Sequence, residues 1–346
     1  MNFRPWLRLF RAPNLATAAG DAMAGGATFA IAAGSAAAHG GFAASGPVFF
    51  PLVRASLCAG AAELFLYMAG LADNDLADEI ADRASGKSRP LADGSLRRRD
   101  VVAARAACFA LAAAAGLVGA MPGFWWAAFA ALAACILAYN RAKEKLPGLG
   151  VLLMGLCRGL GVALGALAAV STLVMPGERD FNAQDGLLFS AHFALSLCVA
   201  TTAYTSAVTR LGLREESAAA PLRRRRYLPA LFPLFPMALP IALVIQFAVA
   251  RVPGTNFKNY APLLGPVFFA LCASLAWTRA VRPLGKPHGP AERGRAVGRA
   301  IGGLLWMQTS FLIFGLAAPG TPLVVFPIYA ALCHALRFAF RSIPGS

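Results

Sequence analysis

Asn74-Asp75-Leu76-Ala77-Asp78-Glu79-Ile80-Ala81-Asp82 closes an apolar stretch that runs over 47–73. Continued as one α-helix past Leu71, this run sets Asn74, Asp75, Asp78 and Asp82 on one face, because steps of three and four residues stack side chains on a helix. Carboxylates this close repel one another. A divalent cation removes the repulsion; Mg²⁺ prefers carboxylate oxygens, keeps several waters and is often completed by substrate phosphates. Gly86, Lys87, Ser88, Arg89 and Pro90 follow. The cations Lys87 and Arg89 suit the outer oxygens of a phosphate group. The plainer reading is a solvated helix end whose acids pair with Arg83 and Arg97–Arg99. Composition favours the metal–diphosphate reading. Seven of the chain's 16 acids lie between Asp73 and Asp100, in a sequence that otherwise avoids them.

The stretch before the acidic run is one of many like it. Of 346 residues, 58% are hydrophobic and 14% are charged, too little charge to cover a soluble domain of this size. A transmembrane helix needs about 20 apolar residues. Ten stretches qualify, near 14–38, 47–73, 101–120, 123–140, 149–175, 186–210, 227–250, 261–281, 298–317 and 321–340. The expected fold is all-α, a polytopic bundle of nine to ten transmembrane helices. The last stretch follows a short Ala-Pro-Gly turn and reads as a tenth span or half of a re-entrant pair.

Charge placement orients the bundle. The net charge is +16, and 27 of the 32 Lys and Arg fall in segments on one side if the N-terminus is inside. By the positive-inside rule both termini and both charged loops are expected in the cytoplasm. Bunching between apolar stretches argues against nucleic acid as a partner, since a nucleic-acid binder spreads its basic residues over a folded surface. Arg4, Arg8 and Arg11 interrupt the apolar residues of segment 1–12, which reads as a basic interfacial helix, not a cleaved leader. The seven cysteines, with no C-x-x-C pair, read as packing residues.

Asn74 to Leu91, N-D-x-x-D-x-x-x-D followed by G-K-x-R-P-L, resembles the first motif of the UbiA superfamily of membrane prenyltransferases. Arg11-Ala12-Pro13-Asn14 opens the first span much as family members do, and Tyr139-Asn140-Arg141-Ala142-Lys143 closes the fourth similarly. The Arg-Ala-Pro-Asn-Leu start looks most like the UbiA-like proteins of the Ebo operon. The resemblance implies one UbiA-like domain over 1–346, built around a central cavity, with its first motif loop at 74–100. It implies a prenyl diphosphate and an unknown acceptor as substrates, Mg²⁺ as cofactor, membrane lipids as surroundings and the bacterial inner membrane as location. Asp75, Asp78 and Asp82 would be catalytic and, with Asn74, hold the metal. Asn14, Asn74, Lys87, Arg89, Tyr139, Arg141, Lys143, Arg158 and Tyr204 would line the substrate.

One part departs from that pattern. The family's second motif is Asp-rich, but the loop at 210–226 and the helix before it, from Ala203 to Glu216, contain no aspartate. Either Glu215 substitutes as a metal ligand, or Arg210 and Arg214 bind the diphosphate directly, or the usual chemistry is altered or lost. Loss would leave a protein that binds or moves a lipid-like or aromatic metabolite without turnover. The run Arg223–Arg226 suits anionic lipid headgroups.

Ionisable residues within spans are costly and therefore informative. Arg158 has the depth of a phosphate contact or of a helix–helix bond to a carbonyl. Asp21 is expected to pair with Arg54, leaving Glu63 another partner. Asn14 reads as a cavity-mouth amide or an N-cap. Tyr139 and Tyr204 read as shields for a developing carbocation or as interfacial aromatics. Gly155, Gly159, Gly161 and Gly165 read as close-packing positions.

Overall fold

A computed structural model describes residues 3–29, 46–173, 181–213, 224–238, 264–286, 288–313 and 324–339. All regular structure among them is helical. In chain order the α-helices are α1 (Arg4–Leu9), α2 (Ala12–Ala27), α3 (Gly46–Ala84), α4 (Arg98–Val118), α5 (Gly123–Ala142), α6 (Pro147–Leu173), α7 (Phe181–Gly212), α8 (Leu264–Val281), α9 (Pro290–Leu312) and α10 (Val325–Ala339). A 3₁₀ helix covers Arg224–Met237 and a short one Pro283–Gly285. Among the described residues, five helices are long and apolar enough to cross a membrane: Phe50–Ala84, Arg98–Val118, Gly123–Ala142, Pro147–Thr172 and Ser190–Gly212. The chain is an integral membrane protein.

One expected α-helical span takes another form. The stretch 227–250 begins as a 3₁₀ helix with Pro229, Pro233 and Pro236 inside it. Each proline lacks an N–H and collides with the carbonyl four residues back, so α-helical bonding cannot propagate there. Residues 239–263 lie outside the described residues.

The 39 residues of α3 measure about 58 Å at ~1.5 Å per residue. The hydrocarbon layer is about 30 Å thick, so α3 must project from it, and its projecting end carries the acids. Gly86 stops the helix: at φ +67° it lets Lys87 N–H reach the Asp82 carbonyl (3.0 Å) and Gly86 N–H the Arg83 carbonyl (3.3 Å). That pair of bonds is a Schellman cap, which needs a left-handed residue at this position.

Two apolar cores hold the bundle. Buried Trp125, Leu66, Leu132 and Leu164 belong to one, joining α3, α5 and α6. Tyr204, Phe193, Phe311, Phe326 and Trp277 belong to the other, joining α7 to α10. Helix α2 packs against α3, α6, α9 and α10 and so sits between them. It crosses α6 at two glycines. A Cβ on Gly165 would overlap the Ala22 carbonyl, and one on Gly25 would overlap the Val162 carbonyl. Backbone faces backbone there, with no flexible side chain to move aside. Gly165→Ala is therefore expected to destabilise the protein by roughly 1–3 kcal/mol, the usual cost of overpacking, read as a lower unfolding midpoint in detergent. An unchanged midpoint would refute this account of the crossing.

Candidate functional site

The acidic end of α3 meets four other elements. A small core of Leu9, Ala72, Leu76, Leu91, Leu96 and Val101, with Trp6 and Phe10 against it, folds the 85–97 loop onto α1, α3 and α4. Helix α1 also grips the loop by hydrogen bonds. Arg8 Nη2 donates to the Ser88 carbonyl (2.5 Å), Ser88 Oγ (2.8 Å) and Asp93 Oδ2 (3.1 Å). The sequence places Arg8 in a basic interfacial helix but does not pair it with Asp93, because the two are 85 positions apart.

The four residues expected on one face occupy two adjacent lines. Asn74 and Asp78, four residues apart, face the end of α5. Lys143 Nζ donates to Asn74 Oδ1 (2.6 Å) and Asp78 Oδ2 (2.5 Å), while Asn74 Nδ2 donates to Asp78 (3.0 Å). Asp75 and Asp82, seven apart, face the loop. Arg89 lies 4.0 Å from each, and Lys87 Nζ lies 3.6 Å from Asp82. Asp75 is buried and its Oδ2 has no hydrogen-bond partner. Glu79 turns outward to Arg83 and Arg98, the pairing the solvated-helix reading assigned to the whole run.

Asp73, just before the motif, anchors the site. It accepts from Arg105 Nη1 (2.7 Å) and Asn140 Nδ2 (2.9 Å), and Asn140 also donates to the Gly70 carbonyl (3.1 Å). Asn140 thus bolts α5 to α3 and sets Lys143 one turn further on. Its place inside the Tyr139–Lys143 segment was legible in the sequence; this bolting role was not.

Arg11, which the sequence places in the basic first segment and at the opening of the first span, also acts on the site. It caps α2 in the left-handed region, φ 46°, ψ 56°, a conformation costing a non-glycine residue of order 1 kcal/mol. Its Nε is buried without a partner, and its charge acts on Asp75 and Arg89. Burial, then the like charge of Arg11, draws the Arg89 guanidinium below its ordinary range, against the pull of Asp75, Asp82 and Asp78. Strain and crowded cations persist where the surroundings impose them, which is common at ligand sites. Asn14 is not the N-cap of α2, since Arg11 is; Asn14 sits in the first turn, its N–H donating to the Arg11 carbonyl (2.8 Å).

Of the remaining expected site residues, Tyr139 lies beside Lys143, whereas Tyr204 does not join the cluster. Tyr139 is half-buried, with Lys143 Nζ 6.0 Å from its ring centre. Arg141 is exposed and donates to the Leu137 carbonyl of its own helix (2.9 Å). Tyr204 is fully buried in the second core, donating to the Ala300 carbonyl (2.9 Å) and lying edge-on to Trp277. Arg210 is exposed on the last turn of α7. Arg214 and Glu215 lie outside the described residues, so neither option for the second motif has a described geometry.

The expected Asp21–Arg54 pair does not form. Arg54 is exposed, and Asp21 pairs with Arg158 instead, Nε to Oδ2 2.6 Å. Arg158 Nη2 also donates to the Thr17 carbonyl (2.5 Å), Gln308 Nε2 donates to Asp21 Oδ1 (2.5 Å) and Thr17 O (2.7 Å), and Glu63 accepts from Ala22 N–H (2.7 Å). A partner on α6 wins because α2 and α6 touch at their glycines, which brings Arg158 to Asp21.

The Arg8 latch has a testable pH dependence. Burial raises the Asp93 carboxyl, but donors from Ser95 and then Arg8 outweigh it and hold it below its ordinary 3.8. A depressed carboxylate stabilises the folded loop above its unfolded value and loses that contribution as pH falls through the folded one. Amide exchange in 85–97 is therefore expected to show the same protection at pH 7 and pH 5, with opening confined to below about pH 4. Opening already at pH 5 would show that this pair does not hold the loop.

A sequence model of the UbiA prenyltransferase family matches residues 27–212 of the chain. No curated protein sequence matches it. A solved structure from a study of digeranylgeranylglyceryl phosphate synthase in membranes has a TM-score of 0.48 and 14% identity, covering 95% of this chain and 98% of that one.

Proposed function

The chain belongs to the UbiA prenyltransferase family, and from that membership we propose that it transfers a prenyl group from an isoprenoid diphosphate to a lipid-like or aromatic acceptor. The observation that carries the reading is the Asp75 carboxylate, buried at the edge of a basic ring with one oxygen lacking any donor. Repulsion between Asp75 and Asp82, seven residues apart on one line, and the orphaned oxygen both suit a divalent cation. No three acidic side chains among the described residues are gathered as a ready metal site; Asp75, Asp78 and Asp82, with Asn74, would hold Mg²⁺ once Lys143 leaves Asn74 and Asp78. When bound, the ion would neutralise charge building on the departing diphosphate.

The chain's own residues would do the rest. Lys87, Arg89, Lys143 and Arg11 ring the carboxylates and would bind and orient the diphosphate oxygens. Preorganised charge of this kind stabilises a leaving group without reorganisation cost. The allylic C1–O bond breaks with both electrons passing to the diphosphate. C1 then bonds to the acceptor's nucleophilic atom, and the acceptor's proton is lost to solvent. The site sits where α3 leaves the hydrocarbon layer, so the tail can stay in lipid while the diphosphate meets water and ions. Motif loops in the cytoplasm of a bacterial inner membrane fit the Lys and Arg distribution. The Arg11–Leu15 start supports kinship with the UbiA-like proteins of the Ebo operon.

A second reading rests on the missing aspartates after α7 and on Lys143 already occupying Asp78. In it the protein binds or moves such a molecule without chemistry. Purified protein given a prenyl diphosphate, a panel of acceptors and an Mg²⁺ titration separates the two. The enzyme reading expects Mg²⁺-dependent release of diphosphate. Metal-independent binding with no release across the panel supports the second reading and removes the first.

A further inference from the structure

Helix α7 and the 3₁₀ helix wall a groove of about 430 Å³, the size of a small-ligand site. Val199, Ala200 and Ala203 line it from α7, and Leu231, Phe232 and Phe235 from the 3₁₀ helix. Its rims are outward-facing: Val199 is 50% exposed, Leu231 59% and Phe235 55%. The lining is apolar, and none of it comes from α3, the helix that carries Asp75 and Asp82.

Charge complementarity says what fills it. Both walls end in a cation. Arg210 lies seven residues beyond Ala203, about 10 Å of α-helix. Arg225 lies six residues before Leu231, about 12 Å of 3₁₀ helix. Both are exposed. The sequence from 210 to 339 holds fifteen Lys and Arg against three acids, Glu215, Glu216 and Glu292. An apolar slot with cations about 10 Å beyond one end matches a molecule with a hydrocarbon chain and an anionic head.

We propose that this groove is a binding site for an anionic phospholipid, with one acyl chain between α7 and the 3₁₀ helix and the phosphate at Arg210 and Arg225. The 3₁₀ helix explains why such a site would matter. Pro229, Pro233 and Pro236 remove three N–H donors from it, so its position depends on what packs against its sides. On the inner side that is Trp277, whose Nε1 donates to the Arg226 carbonyl (2.7 Å); on the outer side it is the acyl chain. The proposal is independent of any prenyl transfer.

Native mass spectrometry of the purified full-length protein, loaded with phosphatidylglycerol or phosphatidylcholine of identical chains, tests it. The wild type is expected to retain phosphatidylglycerol at least tenfold over phosphatidylcholine. Arg210→Gln with Arg225→Gln should bring that ratio to parity. The charge-matched control Arg97→Gln with Arg99→Gln should leave it unchanged. Filling the slot with Ala203→Phe should cut phosphatidylglycerol retention about tenfold with every charge in place. Phe235→Ser, at the exposed rim, should do the same if Ala203→Phe fails to fold. Equal retention of the two lipids by the wild type overturns the proposal. So does an equal fall in the control pair, which would show bulk charge at work. Displacement of the lipid by glycerol phosphate alone overturns the role of the groove, and displacement by a prenyl diphosphate assigns the groove to substrate instead.

Discussion

Asp75→Asn should lower Mg²⁺-dependent diphosphate release by at least about a thousandfold, equivalent to roughly 4 kcal/mol of transition-state stabilisation. The substitution keeps size and hydrogen-bonding shape while removing the negative charge that a cation needs. The carboxylate is buried, 3% exposed, so bulk water cannot replace what is lost. Glu79→Gln is the matched control. Glu79 stands on the same helix four residues away but turns outward to Arg83 and Arg98, and its loss should change release less than about threefold, as expected for partly screened surface pairs. Equal losses in the two variants would mean that the whole helix end matters and its inner line does not. Full activity in Asp75→Asn would remove the metal–diphosphate site from Asp75 altogether.

Arg158→Ala is expected to give the largest loss of stability. Arg158, Asp21 and Glu63 are buried together, at 7%, 0% and 4% exposure, between helices that belong to both cores. Removing the guanidinium leaves Asp21 with only Gln308 as a partner, inside a membrane bundle. Breaking a buried ion pair from one side costs about 3–5 kcal/mol, a large share of a total stability of about 5–15 kcal/mol. The double variant Asp21→Asn with Arg158→Gln should recover about 1–3 kcal/mol of that, because no carboxylate is then stranded opposite the missing charge. Unfolding midpoints in detergent read both numbers. If instead Arg158→Ala keeps the wild-type midpoint and weakens prenyl diphosphate binding alone, Arg158 is a substrate contact, as its depth first suggested.

The bundle was legible in the sequence because a bilayer imposes a local rule. Each spanning stretch must be about 20 residues of apolar side chain, and its backbone must satisfy its own hydrogen bonds; both conditions can be checked without knowing any neighbour. The stretch 227–250 shows the limit, since hydropathy measures apolarity and is blind to the three missing N–H donors. The acidic face was equally local: steps of three, four and seven residues line up on any helix. That the face divides between Lys143 on one line and Arg89 on the other follows from which helices flank α3.

Asn74 to Asp82 thus carried the proposed ligand chemistry in residue type and spacing, and the apolar run before it carried the expectation of a place at the membrane surface. The pairing of Asp21 with Arg158, the grip of Arg8 on Asp93 and the strained approach of Arg11 toward Asp75 belong to the assembled bundle alone. Side-chain pairs within one helix follow from its fixed pitch, whereas pairs between helices depend on where two backbones come close. In this protein that closeness was set at Gly25 and Gly165, where the absence of a Cβ let α2 and α6 meet and thereby chose the partner of Asp21.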